Sequence, residues 1–426
     1  MVLLTGDSHR TTPDNLPPKT MKPSVPKLNW TTLRAIPSGI WALGFVSMLM
    51  DISSEMIHAL LPVYLVTVLA TSATTVGLIE GIAEATASLT KVFSGAISDR
   101  LGKRKLLAAW GYGLAAITKP IFPLAPSVGW LVAARFIDRV GKGIRGAPRD
   151  ALVADIAPEH LRGASFGLRQ SLDTVGAFIG PLLGIGLMWL TANNFRFVFW
   201  IAVVPAFLAL ALMVFAVREP ERPVGLRKVR FPLHRDELGR LGRRYWMIVA
   251  VATVFSLARF SEAFLVLRAQ AVGVPVMLVP AVLVVMNVVY ALSAYPAGVL
   301  ADHGGRYRIL LFGIILLGAA DLVLAFFPGL VGVAIGVALW GLHMGFTQGL
   351  LATLVADNSP PELRGTAFGM FNLLSGVALL IASLLAGVLW DRIGAQATYL
   401  GGAALACLSL LGLLAIRGHI SSGDTA

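Results

Sequence analysis

The sequence predicts an all-α integral membrane protein in which twelve transmembrane helices form two six-helix bundles. Three observations carry this prediction: the composition, a series of long apolar runs and an internal repeat. Apolar residues make up 56% of the 426 residues and charged residues only 14%, whereas soluble domains carry roughly 25% charged residues. A soluble enzyme of this length would lack the polar residues that its surface needs, so the composition indicates a membrane protein.

Composition and motifs exclude several other classes of protein. The net charge is +12, but 35 lysines and arginines are too sparse in 426 residues for a surface that binds nucleic acid. The chain has one cysteine, Cys407, which excludes a disulfide-stabilised scaffold. The patterns GxxxxGK[ST] and H-E-x-x-H do not occur. We therefore expect neither an enzyme nor an ATP-driven pump, and no cofactor.

Apolar runs of about 20 residues follow one another along the chain, and each is long enough to cross a bilayer. Twelve are present, at 38–69, 75–98, 105–125, 127–145, 163–190, 195–217, 245–271, 276–301, 308–327, 330–355, 365–389 and 396–416. The basic segment 218–244 divides them into an N-terminal bundle, 38–217, and a C-terminal bundle, 245–416. Residues 1–37 and 417–426 are predicted cytoplasmic tails, and the first is expected to be disordered.

The distribution of basic residues predicts the orientation. The two tails, the segment 218–244 and the loops on the same side hold 26 of the 35 lysines and arginines, and the opposite loops hold only Arg196 and Arg392. Basic loops remain in the cytoplasm, so both termini are expected there, with the protein as a multi-pass monomer of the cytoplasmic (inner) membrane. The positive excess then faces anionic lipid and carries no information about a substrate.

Two segments of the first half recur in the second half at nearly one offset. Residues 95–105 read G-A-I-S-D-R-L-G-K-R-K, and residues 298–308 read G-V-L-A-D-H-G-G-R-Y-R. Residues 154–167 and 356–369 share the pattern A-D-x-x-P-x-x-L-R-G-x-x-F-G. The halves are therefore tandem copies with the same orientation, and such parallel repeats hold the solute site at their interface near the bilayer midplane.

These repeated motifs resemble those of the major facilitator superfamily, and the resemblance covers residues 38 to 416. Segment 95–104 is similar to the family signature G-x-L-A-D-R-x-G-R-[KR], and the second copy matches less well. The resemblance implies a secondary transporter with a gate at the cytoplasmic face, although the basic run 103–105 also suits simple membrane anchoring. The gate residues expected from these motifs are Gly95, Asp99, Arg100, Gly102, Arg104, Arg135, Asp138, Arg139, Arg162, Asp302, Gly305 and Arg364.

The fourth apolar run ends in a stripe of charges formed by Arg135, Asp138, Arg139 and Lys142, which share one helix face. Residues 139–143 resemble the R-x-x-Q-G pattern of the superfamily, with Lys142 in place of glutamine. The resemblance implies a part in proton coupling for Arg139. An ion-pair network that holds the inward gate is an equal alternative.

The fifth run contains Gly176, Gly180, Pro181 and Gly184, which resemble G-x-x-x-G-P-x-x-G, the fifth-span motif of the antiporters of this superfamily. The resemblance implies export in exchange for protons. Close packing of small residues is the alternative. The second half lacks the motif.

Ionisable residues inside the first two runs are the most informative feature of the sequence. Asp51, Glu55 and His58 share one face of the first run, and Glu80 and Glu84 share one face of the second. Charges in the bilayer are costly and mark functional sites. These groups could form a proton relay, bind a cationic substrate or, with Asp51, Glu55 and His58, bind a metal ion. Basic residues of other spans could instead neutralise them.

Other polar residues of the spans have simpler expected roles. The spacing of Arg169 and Asp173, and of Arg259 and Glu262, favours ion pairs within one helix, although Arg169, Asp173 and Glu262 also remain candidates for coupling or substrate contact. Pairing of Arg169 with Asp51 or Glu55 is a further possibility. Isolated polar residues expected to be satisfied in the core or to line a polar cavity are Asn287, Tyr290, Asp321, His343, Gln348 and Asn372.

The sequence thus predicts a secondary transporter that moves a small solute by alternating access, with proton-coupled efflux as the expected mode. A hydrophobic or amphipathic drug-like solute is the first substrate class, and an iron or other metal complex is the second. A non-transporting membrane receptor or assembly factor on the same scaffold is the alternative of another class. The expected partners are the solute, protons and membrane lipid, without nucleic acid.

Overall fold

The computed structural model describes residues 34–101, 103–158, 161–219, 235–360 and 363–415, and these residues form helices joined by short turns, without a strand. The predicted tails 1–37 and 417–426 and the segment 218–244 lie largely or wholly outside them. The end of the bundle that carries the α2–α3, α5–α6 and α11–α12 connections is called the basic face below, and the other end is called the opposite face.

Each of the twelve apolar runs contains a helix. The helices of the first half are α1 (Ser38–Thr67), α2 (Ala73–Leu101), α3 (Arg104–Thr118), α4 (Ile121–Leu124), α5 (Val128–Ile156), α6 (Arg162–Leu190) and α7 (Phe195–Phe215). Those of the second half are α8 (Arg235–Arg240), α9 (Arg243–Ala258), α10 (Ala263–Ala271), α11 (Ala281–Gly304), α12 (Arg306–Phe326), α13 (Leu330–Asp357), α14 (Arg364–Arg392) and α15 (Ala395–Ala415), with a 3-10 turn at Val276–Leu278.

Within the described residues, nine segments are long and apolar enough to cross a bilayer by length and composition alone. The remaining predicted spans are the helices α2, α3 and α5. Helix α3 has 15 residues, and α2 and α5 carry several charged side chains. These helices lie in the bundle because their charges face protein or cavity.

The two halves meet mainly through α2 and α14, which pack along each other. Smaller contacts join α6 to α11 and α1 to α10. A Cβ atom at Gly77 of α2 would lie 2.1 Å from the carbonyl oxygen of Ser383 of α14. The backbones of the two helices are therefore in direct contact, which only glycine permits at this position.

Asp391, near the end of α14, fixes the two halves together at the opposite face. Its carboxylate accepts hydrogen bonds from the backbone N–H groups of Ala73 and Thr74, at 3.0 and 2.7 Å, and from Thr74 Oγ1 at 2.5 Å. These donors belong to the first turn of α2, where a negative charge also interacts favourably with the helix dipole. The halves are thus closed at the face away from the basic loops.

Replacement of Asp391 by alanine removes three hydrogen bonds between the halves, so we expect the opposite face to open more often. In a Cys407→Ser background, a cysteine placed at Gln270, beside Asp391 in the same surface cavity, should react with a water-soluble maleimide several-fold faster in the Asp391→Ala variant. The neighbouring Arg392→Ala substitution is the control. Equal rates in both variants would show that the Asp391 contact does not hold the face closed.

Candidate functional site

A cavity of about 490 Å³ lies between the two halves. Its lining combines charged, polar and aromatic side chains: Glu55, His58, Glu84, Ser88, Arg139, Lys142, Ser256, Arg259, Phe260, Ser261, Glu262, Trp340, Gln348, Asn372, Ser375, Gly376 and Leu379. A second cavity of about 310 Å³ shares Glu55, Glu84, Ser88, Lys142 and Asn372 with the first. It extends along α5 as far as Asp150. The cavities together therefore lead from the interior toward the basic face.

The seventh apolar run is interrupted where it meets the main cavity. Helix α9 ends at Ala258 and α10 begins at Ala263. The exposed backbone is satisfied by protein groups: the N–H of Ser261 donates to Ser383 Oγ at 3.1 Å, and the N–H of Ala263 donates to Ser261 Oγ at 3.2 Å. Irregular backbone at membrane depth is tolerated only in protein or at a cavity, and in transporters it is typical of binding sites.

The interruption overturns the expected ion pair between Arg259 and Glu262. Their spacing of three residues would bring them together on a continuous helix, but the helix ends before Arg259. Both side chains line the cavity, and no ion pair within 4.0 Å joins them in the part of the chain that the structure describes. No proline marks this break, so the apolar run gave no signal of it.

The predicted polar face of α1 lies along the cavities. Asp51 lines the second cavity, Glu55 lines both, and His58 lines the main cavity. Within the described residues Glu55 forms no ion pair or side-chain hydrogen bond. The charged groups that act most strongly on Asp51 are Asp173, Lys142 and Arg145. The predicted pairing of Arg169 with either acid of α1 is therefore not observed.

The glycine motif of α6 packs directly against this face of α1. A Cβ atom at Gly176 would lie 2.5 Å from the carbonyl oxygen of Met48, and one at Gly180 would lie 2.8 Å from Glu55 Cβ. Gly184 faces α1 one turn further on, at a looser 3.7 Å from Leu60. Pro181 lies within α6, which continues to Leu190. The motif thus sets how closely α6 approaches the backbone that carries Asp51 and Glu55.

A buried ion cluster neutralises Glu80. Arg135 Nη2 lies 2.7 Å from Glu80 Oε2 and 2.5 Å from His58 Nδ1, and His58 Nδ1 lies 3.6 Å from Glu80 Oε2. The side chains of Arg135 and Glu80 are only 2% and 1% exposed. Removal of either partner would leave a buried charge uncompensated. The cluster therefore agrees with the alternative in which basic residues of other spans neutralise the acids of the first two runs.

Two further pairs continue this network along α5. Lys119 Nζ lies 2.9 Å from Asp138 Oδ1 and donates to Ser54 Oγ at 3.0 Å. Arg139 lies 3.3 Å from Glu84, whose side chain faces the cavity. Helix α5 continues to Ile156, well beyond the predicted end of the run at 145. Arg135, Asp138 and Arg139 therefore lie inside the bundle and not at the end of the span, because the helix is longer than predicted. Their assignment to a gate stays a prediction.

A second ion network lies on the second cavity, nearer the basic face. Arg169 lies 3.6 Å from Asp173, as the spacing predicts, and 3.9 Å from Asp150. Arg149 lies 3.6 Å from Asp173, 3.2 Å from Asp150, and donates to Ser47 Oγ at 3.0 Å. Arg149 was not among the predicted site residues, although its position in the charged segment 141–150, G-K-G-I-R-G-A-P-R-D, was a signal.

The Major Facilitator Superfamily model matches residues 43–383. The chain belongs to the Major Facilitator Superfamily. It is a multi-pass membrane transporter of this superfamily and not an enzyme.

Relatives of known sequence support the same assignment. An uncharacterized MFS-type transporter of Methanocaldococcus jannaschii is 34% identical over 395 residues, which cover 90% of this chain and 96% of the relative. The multidrug resistance protein MdtH of Photorhabdus laumondii is 30% identical over 164 residues, which cover 38% of this chain and 39% of that protein.

Solved structures share the fold. The nucleoside transporter NupG superposes with a TM-score of 0.73 at 13% identity, over 89% of this chain and 99% of NupG. A POT family transporter in complex with a thioalcohol-conjugated peptide superposes with a TM-score of 0.75 at 14% identity, over 91% of this chain and 99% of that one. These structures show the predicted superfamily fold.

The gate motif of the superfamily is visible in part. Arg104 lies 2.8 Å from Asp155, and the repeat-related Arg306 pairs with Asp357 in the second half. Gly305 joins α11 to α12 with φ of +86°, a conformation that favours glycine. Gly102 and the side chains of the other predicted gate residues lie outside the described residues: Gly95, Asp99, Arg100, Arg162, Asp302 and Arg364.

The predicted metal site is not assembled. In the described ranges no three His, Cys, Asp or Glu side chains converge in a way that could hold a metal ion, and Asp51, Glu55 and His58 do not form such a group. Asp321 and His343 were expected to be satisfied core residues. Both are fully buried, but neither carboxylate oxygen of Asp321 and neither ring nitrogen of His343 has a hydrogen-bond partner there.

We expect Gly180→Ala to lower the thermal unfolding midpoint of the purified protein by a few degrees. A Cβ atom at position 180 would lie less than 3.0 Å from Glu55 Cβ and from the carbonyl oxygen of Ile52. Overpacking of this kind costs about 1–3 kcal/mol.

Gly186→Ala, on the same helix, is the matched control, because nothing lies within 4 Å of its Cβ position. It should leave the midpoint unchanged or raise it slightly, since alanine favours the helix by about 0.5–1 kcal/mol. Equal destabilisation by both substitutions would contradict close packing at Gly180 as the role of the motif.

Proposed function

We propose that this transporter exports a small solute in exchange for protons and that Glu55 is the coupling carboxylate. The observation that carries the proposal is the environment of Glu55. It lies on α1 at the cavity between the halves, touches both cavities, and forms no ion pair in the described part of the chain. A carboxylate at membrane depth that no fixed cation neutralises is suited to gain and lose a proton.

Neighbouring acids have different roles in this proposal. Glu80 is held by Arg135 and serves the structure of the first bundle. Glu84 lines the cavity but lies 3.3 Å from Arg139, so its protonation would release Arg139 toward the solute. Asp51 and Asp173 face each other on the second cavity and offer a proton path between Glu55 and the basic face.

Export is supported by two observations. The motif Gly176, Gly180, Gly184 resembles that of antiporters and packs against α1 at Glu55. The partial relative MdtH is named as a multidrug resistance protein, which agrees with efflux. With the basic face in the cytoplasm, as the loop charges predict, the cavities would open to the cytoplasm while Asp391 closes the opposite face.

Alternating access then follows from two rigid halves. The pairs Arg104–Asp155 and Arg306–Asp357 each tie the ends of helices within one half, so each half would move as a body. Solute and protons would compete for the carboxylates of the cavity, and release of Asp391 from α2 would allow the halves to rock.

Replacement of Glu55 by glutamine should abolish coupled proton movement. Proteoliposomes loaded with a pH-sensitive dye are challenged with a panel of amines, organic anions and zwitterions, and luminal pH is followed. Compounds that move protons through the wild-type protein should move none above protein-free liposomes in the Glu55→Gln variant, because the amide cannot titrate.

The exposed Arg196, on α7 and remote from the cavity, provides the control. Arg196→Gln should retain the full response. Solute-driven proton movement that survives Glu55→Gln would refute the assignment of Glu55, and solute uptake indifferent to the pH gradient would refute proton coupling altogether.

A further inference from the structure

Two acidic and two basic side chains of the main cavity have no ion pair within the residues that the structure describes. Arg139 and Glu84 satisfy each other, and His58 contacts Arg135. The side chains of Glu55, Lys142, Arg259 and Glu262 line the cavity without an ion pair or a side-chain hydrogen bond in the described part of the chain. The unpaired charges of the cavity therefore sum to zero.

The four groups are divided evenly between the halves. The first half supplies Glu55 from α1 and Lys142 from α5, and the second half supplies Arg259 and Glu262 from the break between α9 and α10. Among charged groups Arg259 acts most strongly on Glu262, and Glu55, Glu84 and Lys142 of the first half follow, so the two halves also interact electrostatically across the cavity. Each half thus presents one free carboxylate and one free cation to a bound solute.

We propose that the transported solute is a small zwitterion that carries an ammonium and a carboxylate group. This inference rests on the proposed transport function and names its substrate class. The ammonium group binds between Glu55 and Glu262, and the carboxylate binds between Lys142 and Arg259. Because both contacts join opposite halves, the solute draws the halves together and supports the conformational change.

Desolvation excludes the simpler solutes. An apolar drug would displace water from four charges without replacing its hydrogen bonds, which is costly for each charge. A monovalent cation would satisfy the two carboxylates but would leave Lys142 and Arg259 desolvated without a counter-charge. Only a solute with both charges compensates all four groups. The drug-like solute that the sequence favoured first is thus a poor match unless it is itself amphoteric.

The remaining lining indicates the body of the solute. Phe260 and Trp340 lie with ring centroids 5.2 Å apart, and Leu379 is also part of the wall. They provide an apolar surface beside the charges. A cavity of about 490 Å³ falls within the range of about 300–1,000 Å³ typical of small-molecule sites. The solute therefore combines its two charges with an apolar or aromatic body.

The test is a thermal-shift titration of the purified full-length protein, which requires no transport. The panel contains phenylalanine, phenylalanyl-alanine and tryptophan, each with its methyl ester, its N-acetyl derivative and the doubly blocked compound. At least one zwitterion should raise the unfolding midpoint by mass action, and its two singly charged derivatives should bind at least tenfold more weakly. A mixture of the methyl ester and the N-acetyl derivative should not raise the unfolding midpoint as much as the zwitterion does.

Charge-neutralising variants test which side chains bind the carboxylate and the ammonium group of the solute. Arg259→Gln should weaken the zwitterion at least tenfold while the affinity for its methyl ester is retained or increased. Glu262→Gln should have the reverse selectivity and favour the N-acetyl derivative. Arg196→Gln should leave all affinities unchanged.

The outcomes separate this inference from the proposed function. No binding by any zwitterion, equal binding of the blocked compounds, or equal effects of both variants on ester and N-acetyl derivative would overturn the zwitterion assignment. In contrast, binding with the expected selectivity but without proton movement in proteoliposomes would overturn proton coupling and leave the substrate class intact.

Discussion

A charged side chain in the apolar interior of a bilayer costs about 3 kcal/mol or more unless an opposite charge or water stabilises it. This constraint organises the whole structure. In the first bundle, Arg135 and Lys119 are buried with the acids Glu80 and Asp138, and these pairs make a rigid interior from residues that lipid would not tolerate. The same constraint demands that the charges left over reach water, and they do so in the cavity between the halves.

Close contacts between helices determine where these charged side chains lie. The glycines of α6 bring α1 to backbone distance at Glu55, and Gly77 does the same for α2 and α14. The contact of α2 with α14 closes the opposite face, where Asp391 caps the first turn of α2. The cavity is consequently bounded by tightly packed helices on one side and reaches the basic face on the other, which is the arrangement that alternating access needs.

Much of the fold could be predicted because the apolar runs and the internal sequence repeat indicate it directly. Helices occupy all twelve apolar runs, and the repeated Arg104–Asp155 and Arg306–Asp357 pairs lie at equivalent places in the two halves. The Arg169–Asp173 pair within α6 could be predicted from its spacing, but the partners of charges on different helices could not, since that pairing depends on which helices are neighbours. The break at 259–262 was invisible because Ser383, from a distant part of the sequence, supplies the hydrogen bond that replaces the helical one.

The central claim is that the acids of α1, α2, α5 and the break between α9 and α10 fall into two groups: those that a basic side chain neutralises and those that face a cavity without one. Modification of carboxylates by a water-soluble carbodiimide, read by mass spectrometry on the purified protein, tests it directly. Glu55 and Glu262, which face the cavity and form no ion pair in the described part of the chain, should be modified first, while Glu80 and Asp138 should stay protected until the protein unfolds. Modification of Glu80 as fast as that of Glu55 in the folded protein would contradict the account.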